Sequence, residues 1–155
     1  MKSLKTLAAV AFAALTLSLT GCSKDPEDLI IGTWDETEIT VTSIISGSPI
    51  EDENGTFTDS MLEEGQTAEM TMNKDYTYVS YSKYATGEES TDHGTWSIAD
   101  NKLTMTSSDD EFGFGPQVYT IETLTKNDMI LTMSESYSES GMNMSYEIKI
   151  VCKKK

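Results

Sequence analysis

The feature that most constrains the fold is an alternation of apolar and polar residues that turn residues interrupt at nearly regular intervals. Near the end of the chain, Tyr146, Ile148, Ile150 and Cys152 occupy every second position. Successive side chains of a β-strand point to opposite faces of the sheet, so this spacing predicts strands with one buried face. The sequence therefore predicts an all-β protein. The segments with this character are residues 31–45, 66–72, 76–84, 92–98, 102–107, 117–124, 128–135 and 143–152.

The short connections between these segments predict which residues lie opposite each other. A hairpin turn sets the register of its two strands, and a shift of one residue would turn an apolar face outward. Turns at residues 73–75, 99–102 and 124–128 each bring apolar residues together on one face. The predicted partners are Met72 with Tyr76, Met70 with Tyr78, Ile98 with Leu103, Trp96 with Met105, Thr123 with Met129, Ile121 with Leu131, and Tyr119 with Met133.

The expected architecture is an eight-stranded antiparallel up-and-down barrel. Strands joined mainly by hairpins close well into a barrel, which removes the unpaired edges that promote aggregation. A two-sheet sandwich is the competing arrangement, although the Cys, Trp and Cys pattern of immunoglobulin domains is absent. Residues 46–65, 109–116 and 134–142 are predicted loops. The first of these is long for a compact domain, so we expect it to act as a lid over the barrel.

The first residues resemble the signal sequence of a bacterial lipoprotein. Lys2 and Lys5 precede an apolar stretch over residues 7–19, and Leu19-Thr20-Gly21-Cys22 resembles a lipobox. The resemblance implies cleavage before Cys22 and acylation of that cysteine. We therefore predict three parts of the chain: a signal peptide over residues 1–21, lipidated Cys22 with a short acidic linker over 22–28, and a barrel domain over 29–155.

The predicted anchor places the protein in the cell envelope, with the membrane as a partner through acylated Cys22. Lipoproteins of this kind carry three acyl chains, which hold them on a bilayer without a transmembrane helix. Ser23 stands where enteric bacteria use Asp as a signal for retention in the inner membrane. The expected location is therefore the outer membrane, with the barrel on its periplasmic or its surface-exposed side.

Charge and composition exclude several classes of function. The formal net charge is −15, and every one of the 11 basic residues is lysine. A chain this acidic, without the guanidinium groups that bind phosphates bidentately, is not expected to bind nucleic acid. It contains one histidine and neither a Gly-x-Ser-x-Gly nor a His-Glu-x-x-His motif. We therefore expect a protein that is not an enzyme and has no cofactor.

Two sets of potential metal ligands are better explained without a metal. Methionines spaced by two residues in a strand share one face, which is the ordinary core period. Acidic residues 51–54 and 109–111 supply oxygen atoms for calcium but lack the spacing of an EF-hand loop. No metal site is therefore expected. The residues of types that bind copper are Met70, Met72, Met142 and Met144, with His93 and Cys152.

Three stretches of sequence resemble the lipocalin-like domain of small bacterial lipoproteins. The resemblance covers residues 29–152 and implies a barrel that binds a small hydrophobic or amphipathic molecule. It also implies that Gly32 permits close packing at one barrel end, which Trp34 fills. Lipocalins proper stack an arginine on this tryptophan, and this chain has no arginine. The stretches are Gly32-Thr33-Trp34, Gly94-Thr95-Trp96-Ser97-Ile98 with Asn101-Lys102-Leu103-Thr104-Met105, and Tyr119-Thr120-Ile121-Glu122-Thr123-Leu124 before Ile130-Leu131.

The candidate ligand-binding residues are those that the predicted registers turn toward the barrel interior. Methionine gives an adaptable apolar surface, and tyrosine adds a hydroxyl that can orient a polar head group. An eight-stranded barrel is also narrow enough for side chains to fill it. The alternative function is therefore a filled barrel that binds another protein of the cell envelope. The candidates are Met70, Met72, Tyr76, Tyr78, Trp96, Met105, Tyr119, Leu131, Met133 and Tyr146.

Overall fold

A computed structural model describes residues 25–48, 54–109, 115–139 and 141–155. The predicted signal peptide and Cys22 lie outside these residues, as do residues 110–114 of one predicted loop. Within the described part of the chain, no helix is long and apolar enough to cross a membrane.

The described chain consists of one short helix followed by nine β-strands. Asp25 caps the helix, because its side chain accepts a hydrogen bond from the backbone N–H of Glu27 at 3.1 Å. The predicted acidic linker therefore overlaps the helix. The elements are α1 (Pro26–Ile30), β1 (Gly32–Ser46), β2 (Gly55–Ser60), β3 (Thr67–Met72), β4 (Thr77–Lys83), β5 (Glu89–Ala99), β6 (Lys102–Ser107), β7 (Gln117–Leu124), β8 (Asp128–Glu139) and β9 (Met142–Lys154).

Eight of the strands close into an antiparallel barrel. Each of β3 to β8 pairs with the next strand in sequence, and β1 pairs with both β3 and β9. The pairing of β1 with β9 runs from Trp34 opposite Lys154 to Ser46 opposite Asn143. This pairing confirms the predicted all-β barrel and excludes the two-sheet sandwich.

The remaining strand, β2, lies within residues 46–65, which are predicted to form a loop. Residues 55–60 pair with the second half of β1, from Gly55 opposite Ile45 to Ser60 opposite Thr40. The first half of β1 pairs with β3. β1 has 15 residues and β3 has six, so β3 leaves the second half of β1 unpaired on this side. β2 covers this edge at residues 40–45 of β1. Residues 55–60 of the segment predicted as a lid loop thus form a strand of the sheet, and residues 49–53 of that segment lie outside the described chain.

The second correction concerns the predicted loop 134–142. Strands β8 and β9 continue as a hairpin until Glu139 lies opposite Met142. Strand β7 reaches only as far as Thr132 of β8. A four-stranded extension therefore projects beyond the barrel, and we call it the upper sheet. It consists of β2, residues 40–46 of β1, residues 133–139 of β8 and residues 142–149 of β9.

The registers agree with the prediction where the turn is tight. Trp96 lies opposite Met105 and Ile98 opposite Leu103, as predicted. The two residues of this turn, Asp100 and Asn101, have φ of 49° and 62°. Such values characterise the type I′ turn, which matches the twist of the strands it joins.

Two other registers differ from the prediction. The turn after β3 lies one residue later than predicted, because Tyr76 adopts φ of 64° and β4 begins only at Thr77. This displaces the register by two residues and keeps the faces. Met72 lies opposite Tyr78 and Met70 opposite Ser80, so both predicted pairings of this hairpin are wrong. In the β7–β8 hairpin, Ile121 lies opposite Leu131 as predicted, but an irregularity between residues 121 and 123 follows. The residue opposite Met129 is consequently Leu124, so the predicted pairing with Thr123 is wrong.

A β-bulge in β1 determines which of its side chains enter the barrel. The pairing with β9 shifts between Glu36 and Glu38, which leaves Thr37 as an extra residue. Glu36 then lies opposite the buried Cys152, and Ile39 lies opposite Ile150. Because the extra residue changes the alternation, both Glu36 and Ile39 face inward.

Large side chains fill the lower half of the barrel, next to helix α1. Trp34 is fully buried, and its indole N–H donates to the backbone carbonyl of Ile30 at 2.7 Å. This bond joins the helix to Trp34, which closes the lower end of the barrel. Burial of apolar area on this scale is the main source of stability for a domain without disulfides. The fully buried side chains are Ile30, Trp34, Met72, Leu103, Met129, Leu131 and Cys152.

Lys154 covers the ring of Trp34 at this closed end of the barrel. The ammonium of Lys154 lies 4.8 Å from the centroid of the Trp34 ring and donates to the carbonyl of Leu29 at 2.8 Å. This cation–π contact puts a lysine on the tryptophan that carries an arginine in lipocalins proper. Gly32 has φ of +128°, and a Cβ atom there would lie 2.8 Å from Cε of Lys154. Glycine at this position therefore allows the lysine to reach the ring.

We expect Gly32→Ala to lower the free energy of unfolding by about 2 to 4 kcal/mol, through backbone strain and displacement of Lys154. Gly65→Ala is the matched control, because Gly65 has φ of +88° with open space around the new Cβ. Strain alone should cost the control about 1 kcal/mol. Urea unfolding measures both values. Equal losses in the two variants would contradict the close packing of Lys154 on Gly32.

Candidate functional site

The upper half of the barrel contains a cavity of about 340 Å³. Its floor is apolar and consists of Met70, Leu131 and Ile150, which are at most 8% exposed. Its upper wall is polar. The lining residues come from every barrel strand and the β6–β7 connection: Glu36, Met70, Tyr78, Ser80, Asp92, Met105, Ser107, Asp109, Gly115, Gln117, Tyr119, Leu131 and Ile150.

Asp92 is the centre of the hydrogen bonds in the polar wall. Its carboxylate accepts from the hydroxyl of Tyr78 at 2.6 Å and from the hydroxyl of Ser107 at 2.6 Å. These short, charge-assisted bonds join three neighbouring strands, β4, β5 and β6. Burial, together with the bond to Asp92, raises the pKa of Tyr78 well above its usual value. The phenol therefore remains protonated and continues to donate.

Gly94 makes room for the Tyr78 ring. The two residues lie opposite each other in β4 and β5, and a Cβ at Gly94 would come within 2.6 Å of the ring. It would also come within 2.1 Å of the carbonyl oxygen of Thr106. The glycine that forms part of the family resemblance thus has a local role, which is to let an aromatic ring pack against the backbone.

Glu36 places a carboxylate inside the barrel without a partner among the described residues. It lines the cavity, and burial raises its pKa above the usual value, with no hydrogen bond or ion pair to offset this shift. Burial and the charge of Glu36 raise the pKa of Tyr119 to about 12. The same two causes raise the pKa of Cys152 to about 12. The Cys152 thiol is therefore protonated at neutral pH and unreactive.

The charges that line the cavity all have one sign. Glu36, Asp92 and Asp109 contribute three carboxylates, and the lining residues that the structure describes include no lysine, arginine or histidine. In the described parts of the chain, no three side chains of metal-binding type come together. The cavity is therefore an acidic chamber with an apolar floor.

The cavity includes five of the ten candidate ligand-binding residues. Met70, Tyr78, Met105, Tyr119 and Leu131 line it. Two others, Met72 and Trp96, are buried in the filled lower half. They lie there because the bulkiest side chains of the barrel pack together at the end next to helix α1.

The last three candidates lie elsewhere. Tyr76 is 48% exposed, packs against Trp96 with ring centroids 5.1 Å apart, and donates to Glu27. The prediction that it faces inward is wrong, because it belongs to the loop before β4. Met133 packs on the core without lining the cavity, and Tyr146 donates to Glu135 on the upper sheet.

The acidic residues of the site are absent from the sequence-based prediction. Glu36 falls in the predicted first strand two residues after the buried Trp34, and regular alternation turns it inward. Asp92 and Ser107 lie at the ends of predicted strands, where polar residues ordinarily face solvent. Signals were therefore present for Glu36, through its spacing from Trp34, and for Tyr78, which is predicted to face the interior, where a buried phenol needs an acceptor.

The sequence profile of the lipocalin-like domain family matches residues 30–131. This match covers more than half of the chain, which therefore belongs to the lipocalin-like domain family. A lipocalin-like protein from Bacteroides uniformis is similar in structure, with 12% identity, 81% of this chain and 98% of that chain covered, and a TM-score of 0.47. An uncharacterized protein from Bacteroides eggerthii is also similar, with 15% identity, 81% of this chain and 99% of that chain covered, and a TM-score of 0.46. No curated protein matches the sequence significantly.

Substitution of Glu36 tests whether its charge is buried at a cost. A carboxyl whose pKa is raised by folding destabilises the protein above its unfolded pKa, and the cost disappears as pH falls and the group is protonated. We therefore expect Glu36→Gln to raise the melting temperature at pH 7 and to lose this advantage toward pH 4. Thermal unfolding at several pH values measures the effect.

The exposed neighbour Glu38 provides the control for this substitution. Glu38→Gln changes the net charge by the same amount but removes no buried carboxylate. We expect a small effect that does not follow the titration of a buried acid. If both variants show the same pH dependence, the inward position of Glu36 is incorrect.

Proposed function

We propose that the protein is a membrane-anchored lipocalin-like carrier that binds one small amphipathic molecule inside the barrel. The observation that supports this function is the cavity of about 340 Å³ between the filled lower half and the upper sheet. Ligand pockets usually range from about 300 to 1,000 Å³. The cavity would hold about eleven water molecules at ~30 Å³ each, so the ligand is small.

The distribution of polarity supports an amphipathic ligand. An apolar group can lie on Met70, Leu131 and Ile150, where its burial contributes about 25 cal/mol per Å². A polar head group can then lie against the wall that contains Asp92. An apolar floor with a few fixed polar groups is the usual composition of a small-molecule site.

The proposed anchor is consistent with this use of the barrel. Only Ser23 and Lys24 separate Cys22 from Asp25, which caps helix α1 at the closed end. Acylation of Cys22 would hold the closed end near the bilayer, and the cavity would open away from it. A carrier anchored in this way could exchange its ligand with the surrounding aqueous phase.

A second function, binding of another envelope protein, is favoured by the upper sheet. Phe57 and Tyr137 are 44% and 48% exposed. The pairing places them on the same face, because Phe57 lies opposite Ser43 and Tyr137 lies opposite Met144, the partner of Ile45. Exposed apolar residues on one face of a sheet are typical of surfaces that contact other molecules.

Direct binding of a fluorescent probe tests the carrier function. N-phenyl-1-naphthylamine fluoresces in apolar surroundings and is small enough for the cavity. We expect it to bind the wild-type protein, and Ser80→Phe to weaken binding about 10-fold or more because the new ring occupies the cavity. Thr91→Phe adds the same ring to an exposed residue of β5 and should leave binding unchanged. Equal binding by both variants, or none by the wild type, would contradict the proposal.

The anchor has its own test. Cys22→Ala should prevent acylation and transfer the protein from the membrane fraction to the soluble fraction, whereas Ser23→Ala should remain with the membrane. Incorporation of radiolabelled palmitate, followed by fractionation, measures both properties. Membrane retention of the unlabelled Cys22→Ala protein would overturn the predicted lipidation.

A further inference from the structure

We propose that the ligand of the cavity carries a cationic nitrogen, as a protonated amine attached to a short apolar group. This inference rests on the proposed carrier function and narrows the chemical class of its ligand. It is drawn from three properties of the cavity: its uncompensated charge, the donors and acceptors of its wall, and its size.

The first property is that nothing in the cavity lining balances its negative charge. The partly buried Glu36 and Asp92 and the exposed Asp109 approach the space from three different elements, and none of the described lining residues is basic. A buried charge without a partner is costly, and an anionic ligand would increase that cost. A neutral apolar ligand would remove water from Glu36 without replacing it. A cation is the ligand charge that lowers the energy of all three carboxylates.

The second property is that the wall uses three of its four hydroxyl donors internally. The hydroxyls of Tyr78 and Ser107 donate to Asp92, and the hydroxyl of Tyr119 donates to the side-chain oxygen of Gln117 at 2.6 Å. The carboxylate of Glu36 accepts no hydrogen bond from the described residues. Apart from the Ser80 hydroxyl and the Gln117 amide N–H groups, the polar side chains of the wall therefore offer mainly carboxylate acceptors to the lumen. An ammonium group has three donors and no acceptor, so it is complementary to such a wall.

The third property separates an organic cation from a metal ion. The described residues contain no group of three side chains of metal-binding type. The cavity of about 340 Å³ is far larger than an ion, and its floor of Met70, Leu131 and Ile150 is apolar. A small amine can place its nitrogen near Glu36 and its hydrocarbon part on this floor.

Three probes with the same phenylbutyl group test the inference. They are 4-phenylbutylamine, 4-phenylbutan-1-ol and 5-phenylpentanoate, which are cationic, neutral and anionic at pH 7. Isothermal titration calorimetry of the full chain at physiological salt gives the three dissociation constants. We expect the amine to bind about 10-fold or more tightly than the alcohol, because hydrogen bonds to charged groups are stronger than neutral ones. The carboxylate should show no binding.

Two variants locate the source of the preference. Glu36→Gln should reduce the preference for the amine to about threefold or less while binding of the alcohol persists. Glu38→Gln carries the same net charge but changes an exposed residue of the same strand, and should keep the full preference. This comparison separates a specific carboxylate from the general attraction that an acidic protein exerts on cations.

Each outcome decides one of the two proposals. Similar affinities for the amine and the alcohol would overturn the cationic class and leave the carrier function intact. An equal loss of preference in both variants would assign it to surface charge and would also overturn the inference. Failure of all three probes to bind at millimolar concentration, together with failure of the naphthylamine probe, would contradict the carrier function itself.

Discussion

The pairing of β1 with β9 is the interaction on which the rest of the structure depends. It joins the two ends of the barrel sheet from Trp34 opposite Lys154 to Ser46 opposite Asn143. Without it, the sheet would have two open edges and its apolar face would lose its enclosure. The bulge at Thr37 lies within this pairing and turns Ile39 to the inward side, which Glu36 occupies by alternation from Trp34. Closure of the barrel and the chemistry of its interior therefore depend on the same pair of strands.

The two halves of the barrel differ in how completely side chains fill the interior. The lower half is packed with side chains such as Trp34, Leu103 and Met129, all at 0% exposure. The upper half keeps a cavity and places the Glu36 carboxylate in it, although a buried carboxylate lowers stability. A well-packed lower half can tolerate this cost. Local departures from the rules of a stable interior commonly mark functional sites. The filled barrel and the barrel with a pocket, which are alternatives at the level of sequence, both occur in this one domain.

The sequence predicts the barrel and part of its register, and the reasons for its failures are physical. The register of Trp96 with Met105 is predictable because Asp100 and Asn101 favour the left-handed conformation of a tight turn. The later start of β4 is not, since it depends on a positive φ at Tyr76, which tyrosine rarely adopts. Strand β2 lacks an apolar alternation and forms because β1 is long enough to pair with it. The acidic wall was not predicted for another reason. Alternation from Trp34 does turn Glu36 inward, but a carboxylate is ordinarily assigned to the solvent side, and the bulge that brings Ile39 to the same side leaves no signal in a single sequence.

The central claim is that the upper half of the barrel holds a small organic cation. Native mass spectrometry of the protein purified gently from the cell that makes it tests this claim most directly. The account predicts a complex heavier than the protein alone by one small molecule, which acidification releases and which contains a basic nitrogen. A chain that carries no such molecule, or one that carries a neutral or anionic compound in its place, would contradict the account.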